Sequence, residues 1–517
     1  MRVTLFTPTP PDISAFGLRN LSSMLKAHGH ETRSVFLPGG IDYLDHGGTY
    51  RYGYSEPVLD QMVKLSEDAD LVGFSFMTQY FDRARQATEV IKKRTKTPVI
   101  WGGIHPTART EEGLDLADAV CRGEGEEAVL ELLDRLQQGK DYADIPNIAV
   151  KRNGKVIQNE MRELVQNLDT LPLIDFTCEN HFVLDPVADR IVPLDAKKLE
   201  ECLPLMPYFG GKTTRAYRMM TTRGCPHFCS FCAISTLRLE YEGETYLRRQ
   251  SVGRTMDELE WMLKTYPFIK TIHFFDDTFF AGRMEYFEEF AAAYKKRINV
   301  PFYTQASPAT LTKPKMDLLM DIGMVFTEMG LQSASEKTKK MYKREMPNEK
   351  VIAADAIIDS YRTRLIAPRY HVILDNPWEG KDDLLETLDL ILKLKRPYNL
   401  CIGSLVLFPA TPLHDRAVKE GIIKDEGSQI YRKPFYKPRH TYLNLLICLC
   451  DFPLMPLAAI RILRKRALVD ALQRESLEPI YRLIFKATNA ARLGLKGVQA
   501  VTHLDFERIR RFFRRVR

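Results

Sequence analysis

The chain has 517 residues, 45% hydrophobic and 27% charged, enough apolar material for two or three domains with separate cores in a soluble globular protein. The formal charge is +7, and much of the excess sits near the end, in ILRKR and in IRRFFRRVR, rather than in an interleaved basic and aromatic surface, so no nucleic-acid partner is expected. MRVTLFTPTP lacks the layout of a secretory signal and no early apolar run approaches the roughly 20 residues of a spanning helix, which places the chain in the cytoplasm.

The first segment alternates strand-like and helix-like runs. VTLFT, LVGFSFM, PVIWGG and DAVCRGEGE read as strands and their exits; FGLRNLSSMLKAHGHE, RARQATEVIKKR and EAVLELLDRL carry helical spacing. This rhythm predicts a doubly wound parallel sheet, Rossmann-like, over residues 1–140, with ligands at the carboxyl ends of its strands. The expected ligand edge is the loops after Thr7, Phe76, Ile100 and Cys121, rich in the Gly, Ser, Thr and Pro that let backbone approach a bulky ligand. None holds GxGxxG, so the ordinary dinucleotide fingerprint is missing.

Residues 141–215 read as a hairpin turning at Asn153-Gly154, followed by a proline-dotted linker. From 216 to 430 roughly six strand-helix units follow in order, which predicts a partial TIM-like barrel with its chemistry at the strand ends. Asp276, Asp277, Gln332 and Glu379 all fall just after expected strands and should share that mouth.

Residues 431–517 read as a mostly helical region, very apolar at HTYLNLLICLCDFPLMPLAAI but broken by Asp451, Pro453 and Pro456 before it is long enough to span a bilayer. Two readings stay open for it: a helical core over the barrel, or a peripheral membrane contact with Arg461, Arg464, Lys465 and Arg466 at lipid phosphates, which the final RIRRFFRRVR could strengthen.

Nine cysteines, an odd and uneven set, do not form a disulfide framework. Three of them, Cys225, Cys229 and Cys232, crowd the loop TTRGCPHFCSFC, where close thiolates suit a soft metal or an iron-sulfur cluster. Structural zinc wants a fourth ligand at matching spacing; His227 is too close in the loop to supply it easily. Three ligands to a cubane leave one iron open, so the loop reads as a catalytic site rather than a staple.

CxxxCxxC after the first strand of a βα barrel, with Phe231 before the last cysteine, resembles the radical S-adenosylmethionine superfamily. The resemblance implies that the three cysteines hold a 4Fe-4S cluster, that S-adenosylmethionine occupies the open iron and yields a 5'-deoxyadenosyl radical, and that Phe231 lies near the adenine. HFFDDTFF places Asp276 and Asp277 where the family binds the methionyl amine, and FPATPL, Phe408 to Leu413, resembles the family's FPGTPL.

GFSFMT, WGGIHPT and RGEGEE, in that order ahead of the barrel, are similar to the cobalamin-binding domains of the cobalamin-dependent subgroup. That similarity implies that Ser75, Met77, Thr78, Gly102, Gly103 and His105 line the corrinoid face, and that cobalt lacks a lower histidine ligand because PTPPDIS holds no histidine. The chain departs from the subgroup in GLQS, with Gln332 where glutamate is common, in NPWEG, which keeps Glu379 but not the glycines, and in QASPATL, which lacks an arginine.

Each candidate has a plainer reading: the aspartates as helix caps, His105 as an ordinary loop histidine, Met219 and Met220 as core. The expected activity is cobalamin-dependent radical methylation of an unactivated carbon on an apolar small molecule, fed by a reductant such as flavodoxin or ferredoxin. The alternatives are a cobalamin-using cyclase or rearrangement enzyme, and a non-catalytic corrinoid or iron-sulfur sensor.

Overall fold

The computed structural model describes residues 1–9, 12–39, 52–506 and 509. The described residues form two large sheets whose carboxyl edges face each other and one two-stranded ladder, with helices closing the far side of the second large sheet.

The first sheet takes β1 (Arg2–Thr9), β2 (Glu31–Pro38), β3 (Leu71–Ser75), β4 (Val99–Gly102), β5 (Ala119–Cys121), β6 (Ile148–Arg152), β7 (Lys155–Gln158), β8 (Phe182–Asp185) and β9 (Arg190–Pro193), in the order β7-β6-β5-β4-β3-β1-β2-β8-β9. From β5 to β8 every pairing is parallel. β1 is buried along its whole length after Arg2, as expected of a parallel strand covered on both faces. Phe6 and Phe74 stack 5.2 Å apart between the central strands, and each such buried side chain contributes roughly 2 kcal/mol. Strand order reverses between β1 and β3, which opens a crevice at their carboxyl ends.

The residues expected to form a hairpin and linker do more than connect. β6 and β7 turn through Asn153 and Gly154, at φ 51° and 76°, and extend one edge; β8 and β9 form a second hairpin on the other. These strands are four or five residues long and bounded by prolines and polar turns, so their signal in the sequence is weak.

The second sheet takes β10 (Leu205–Pro207), then β11 (Thr213–Met219). A short antiparallel ladder, β12 (Thr222–Arg223) with β13 (Arg248–Arg249), brackets the cysteine loop. The sheet continues with β14 (Thr271–Phe274), β15 (Phe302–Ala306), β16 (Met324–Gln332), β17 (Arg369–Leu374) and β18 (Asn399–Ser404). Its order is sequential, and the six strands from β11 to β18 are parallel, a half-barrel. Helices such as Val252–Thr265, capped by Ser251 Oγ accepting from Arg254 N at 3.1 Å, pack their apolar faces on its outer side.

The carboxyl-terminal region forms helices Tyr442–Leu449, Leu457–Leu463, Arg466–Leu472 and Glu478–Thr502. The first is buried almost throughout against the half-barrel. Among the described residues no helix is long and apolar enough to cross a membrane. The final RIRRFFRRVR lies, but for Ile509, outside the described residues.

Candidate functional site

A cavity of about 340 Å³ lies between the two carboxyl edges. Ser75, Gly102, Gly103, Gly123 and Glu124 border it from the first sheet; Met220, Thr222, Arg223, Gly224 and Asp277 border it from the second. It continues past Leu5, Gly73 and Ile100 toward the helix Phe16–Ala27, an apolar trench at the crevice between β1 and β3.

The first rim is made largely of missing side chains. Gly103 sits at φ +95°, and a Cβ there would come within 2.9 Å of the Phe76 carbonyl oxygen, so the turn after β4 demands glycine. Gly102 is different: its added Cβ meets nothing nearer than 3.7 Å. Its smallness keeps space open rather than relieving strain. Such a bare backbone surface suits a broad, flat ligand.

The second rim carries charge. Glu124 binds Arg223 at 3.1 Å and Arg248 at 2.8 Å, while Arg223 also reaches Glu126 at 2.5 Å. Burial alone would raise the Glu124 carboxyl, but the two guanidiniums hold it below its ordinary range. These pairs tie the first sheet to the cysteine loop.

The loop itself is fixed at several points. Gly224, at φ +88°, could carry no Cβ, which would stand 2.3 Å from the Tyr246 carbonyl oxygen. Ser230 Oγ donates to the Met341 carbonyl at 2.6 Å, and Phe231 packs edge-on against Tyr342 at 4.8 Å. Cys232 is the residue before the helix Ala233–Glu240, whose amino end favours a thiolate. Burial pushes the Cys225 thiol up to about 11 and the Cys232 thiol up to about 12, with Asp277 and neighbouring thiols adding to the rise. A bound metal must displace those protons.

Arg344, which no motif singles out, points Nη1 at Cys229 Sγ from 3.5 Å and donates Nη2 to the Gly330 carbonyl at 3.1 Å. Among the described residues no trio of His, Cys, Asp or Glu closes on a single ion. Three separated thiols beside a guanidinium fit a sulfide-bridged cluster, each thiolate ligating a different iron and the whole carrying net negative charge, better than a zinc ion.

The paired aspartates divide. Asp276 is fully buried and accepts from Thr221 N at 2.7 Å and from Thr222 N and Oγ1 at 2.6 Å each. It fastens the strand end that leads into the cysteine loop and is turned away from the cavity. Asp277 lines the cavity; burial, then repulsion from Asp276, pushes its carboxyl up to about 6.

Other candidates scatter. Gln332 ends β16 at φ 66°, after an irregularity in the ladder, close to Gly330 and Arg344. Glu379 accepts from Ser333 Oγ at 3.0 Å, its Oε2 is buried without a hydrogen bond, and burial pushes it up to about 7. Met77 is 40% exposed at the surface. The chain leaves β3 into a single turn, Thr78–Tyr80, so Thr78 faces inward to His105 Nδ1 at 3.3 Å. His105 lies in the short helix Ile104–Ala108 among Phe76, Phe81 and Tyr431, and burial lowers it to about 3. Thus Ser75, Gly102 and Gly103 line the cavity, while Met77, Thr78 and His105 lie outside its lining.

The half-barrel interior holds a second charged group. Glu328 accepts from Arg369 Nη1 at 2.7 Å and meets His371 Nε2 at 2.8 Å; Arg218 pairs with Asp12 at 2.6 Å. Burial would lower His371, but Cys401 and Glu328 raise it to about 10. His273, fully buried beside Phe275 and Tyr303, has no hydrogen-bond partner on either ring nitrogen. These residues are scattered one or two to a strand, each inside a run read only as a strand, and only the closed sheet gathers them.

Comparison with known proteins agrees with this architecture. Residues 3–133 match the B12 binding domain family and residues 219–416 match the radical SAM superfamily. An uncharacterized methyltransferase of Pyrococcus horikoshii is 25% identical over 69% of this chain and 71% of its own length. The anaerobic magnesium-protoporphyrin IX monomethyl ester cyclase of Rubrivivax gelatinosus is 23% identical over 75% of this chain and 67% of its own. The structure of the radical S-adenosylmethionine methyltransferase TsrM from Kitasatospora setae, with cobalamin and a [4Fe-4S] cluster bound, superposes with a TM-score of 0.61 at 17% identity, covering 81% of this chain and 78% of that one. The radical SAM match implies a 4Fe-4S cluster and S-adenosylmethionine, and the B12 match implies cobalamin; the cysteine loop and the bare glycine rim are the surfaces that fit them. The chain is a radical S-adenosylmethionine enzyme that carries a B12-binding domain ahead of its half-barrel.

Proposed function

We propose that the enzyme methylates an unactivated carbon by a cobalamin-dependent radical route. The observation that carries this reading is the cavity between the two rims: the glycine rim of the B12-binding sheet and the charged rim of the cysteine loop border one space. When bound, the cluster and S-adenosylmethionine supply a 5'-deoxyadenosyl radical and cobalamin supplies the methyl group.

The chain's own residues position and seclude. Cys225, Cys229 and Cys232 hold the cluster, with Arg344 offsetting its negative charge. Asp277 and the turn around Gln332 are the contacts offered to the methionyl end of S-adenosylmethionine, and Phe231 is the apolar wall beside its adenine. Glu379, with one unpartnered oxygen, awaits a donor in the same neighbourhood, beside Ser333. Ser75, Gly102 and Gly103 present backbone to the corrinoid.

Arg218, His273, Glu328, Arg369 and His371 face the half-barrel interior and favour a substrate with polar or charged groups over the wholly apolar molecule expected from composition. A low-potential reductant, flavodoxin or ferredoxin in the cytoplasm, completes the reaction.

The test is anaerobic incubation of the reconstituted enzyme with reductant, cobalamin and methyl-deuterated S-adenosylmethionine, with products read by mass spectrometry. Methylation of cobalt leaves S-adenosylhomocysteine and radical formation leaves 5'-deoxyadenosine, so the proposal expects both. 5'-Deoxyadenosine without S-adenosylhomocysteine would point to a radical reaction without methyl transfer.

A further inference from the structure

We propose that the outer face of the helix Glu478–Thr502 docks on a lipid bilayer carrying anionic headgroups. Large hydrophobic side chains left in water are concentrated at this end of the molecule: ten of the eighteen among the described residues lie between Leu454 and Phe506. On the helix, Ile480, Leu483, Ile484, Val498 and Val501 are 39–67% exposed. Counted from Ile480 the others fall three, four, eighteen and twenty-one residues on, which puts them on one side, with alanines and glycine between them and no charged residue in that sector.

The opposite side is already used, since Tyr481 and Phe485 are buried against the core. The helix is therefore apolar twice over, and only the inner stripe is explained by packing. An outer face with large exposed apolar side chains at both ends and no charge between them marks an interaction surface.

Charge selects the occupant. Residues 440–517 contain 15 Lys and Arg against 6 Asp and Glu, a larger excess than the +7 of the whole chain, so the remainder of the molecule is slightly acidic. Lys486 borders the outer stripe on one side of the helix, while Arg482 lies behind it and pairs with Glu478 at 3.0 Å. A second copy of the chain would bring the same positive excess against itself, whereas anionic headgroups complement it. The helix is not apolar enough to cross the membrane, so it lies on the surface with its stripe among the acyl chains. This inference is independent of the methyl-transfer reading.

The test is co-sedimentation of the reconstituted full chain with vesicles of phosphatidylglycerol in phosphatidylcholine and with phosphatidylcholine alone, at low and high salt. At least about tenfold more protein should sediment with the anionic vesicles, and salt should weaken that binding. L483E and V498E should abolish it, with iron content and circular dichroism unchanged. Equal sedimentation on both vesicles, or variants that bind like the wild type, would overturn the proposal. So would a dimer in size exclusion that these variants split, because the face would then belong to a second copy.

Discussion

The two rims of the cavity work in opposite ways. The rim of the B12-binding sheet works by omission: Gly102 and Gly103 leave backbone bare for a wide ligand. The rim of the half-barrel works by placement: Cys225, Cys229 and Cys232 on a loop pinned by Asp276, Ser230 and Gly224, with Arg223 and Arg344 supplying positive charge around it. A site made by omission is sensitive to added atoms, and one made by placement to lost bonds. Substitutions on either side therefore separate the two cofactors.

The largest effect should come from Asp276. Asp276→Ala leaves the buried Thr221 and Thr222 amides without their acceptor and should cost about 3 kcal/mol of stability together with most of the bound iron. Asp277→Ala, one residue on, should keep the thermal midpoint and the iron but weaken S-adenosylmethionine, read by equilibrium dialysis. Equal losses in the two variants would erase the distinction between anchor and ligand.

Gly102→Val tests the rim made by omission. Its Cβ has room, so the fold should persist, but the side chain intrudes on the cavity and should lower cobalamin affinity at least about tenfold while iron stays at wild-type content. Unchanged cobalamin binding would move the corrinoid elsewhere.

Glu328→Gln leaves Arg369 and His371 facing each other with a weaker acceptor between them, and about 2 kcal/mol of stability should be lost in denaturant unfolding. Cys225, Cys229 and Cys232 should still load iron in this variant, because the interior charges do not build the loop.

The smallest effect is a pH dependence at Glu258, which is buried, accepts from Tyr217 Oη at 2.7 Å and is pushed up to about 7. Its proton is held more tightly in the folded chain than in the unfolded one, so its contribution is fully present below the ordinary carboxylate range and is lost as pH rises toward and through 7. Between pH 6 and pH 8 the loss should be about 1 kcal/mol, and Glu258→Gln should flatten the thermal midpoint over that window.

What the sequence disclosed follows the same division. The cysteine loop was legible because its residues are contiguous and chemically unusual, and the strand-helix rhythm was legible because parallel strands bury both faces. Gly102 and Gly103 stood out through the resemblance of WGGIHPT to cobalamin-binding domains, at a strand exit where doubly wound sheets bind ligands, and both border the cavity. Met77, Thr78 and His105 sit in the same loops, but a single turn after β3 and a short helix after β4 carry them away from the cavity, and no residue pattern announces that rotation. Asp276 and Asp277 differ only in which way each side chain turns at the end of β14. Arg344 and the interior set of Arg218, His273, Glu328, Arg369 and His371 are brought together by pairing between distant strands, which single-chain spacing does not encode.

The most direct test of the two-rim account is quantitation of iron, sulfide and cobalamin in anaerobically reconstituted wild type and in the Cys225→Ala, Cys229→Ala, Cys232→Ala triple variant. The account predicts about four irons and one corrinoid per wild-type chain, and a variant that loses the iron yet retains the corrinoid. Zinc in place of iron, or a wild type that binds no corrinoid, would contradict it.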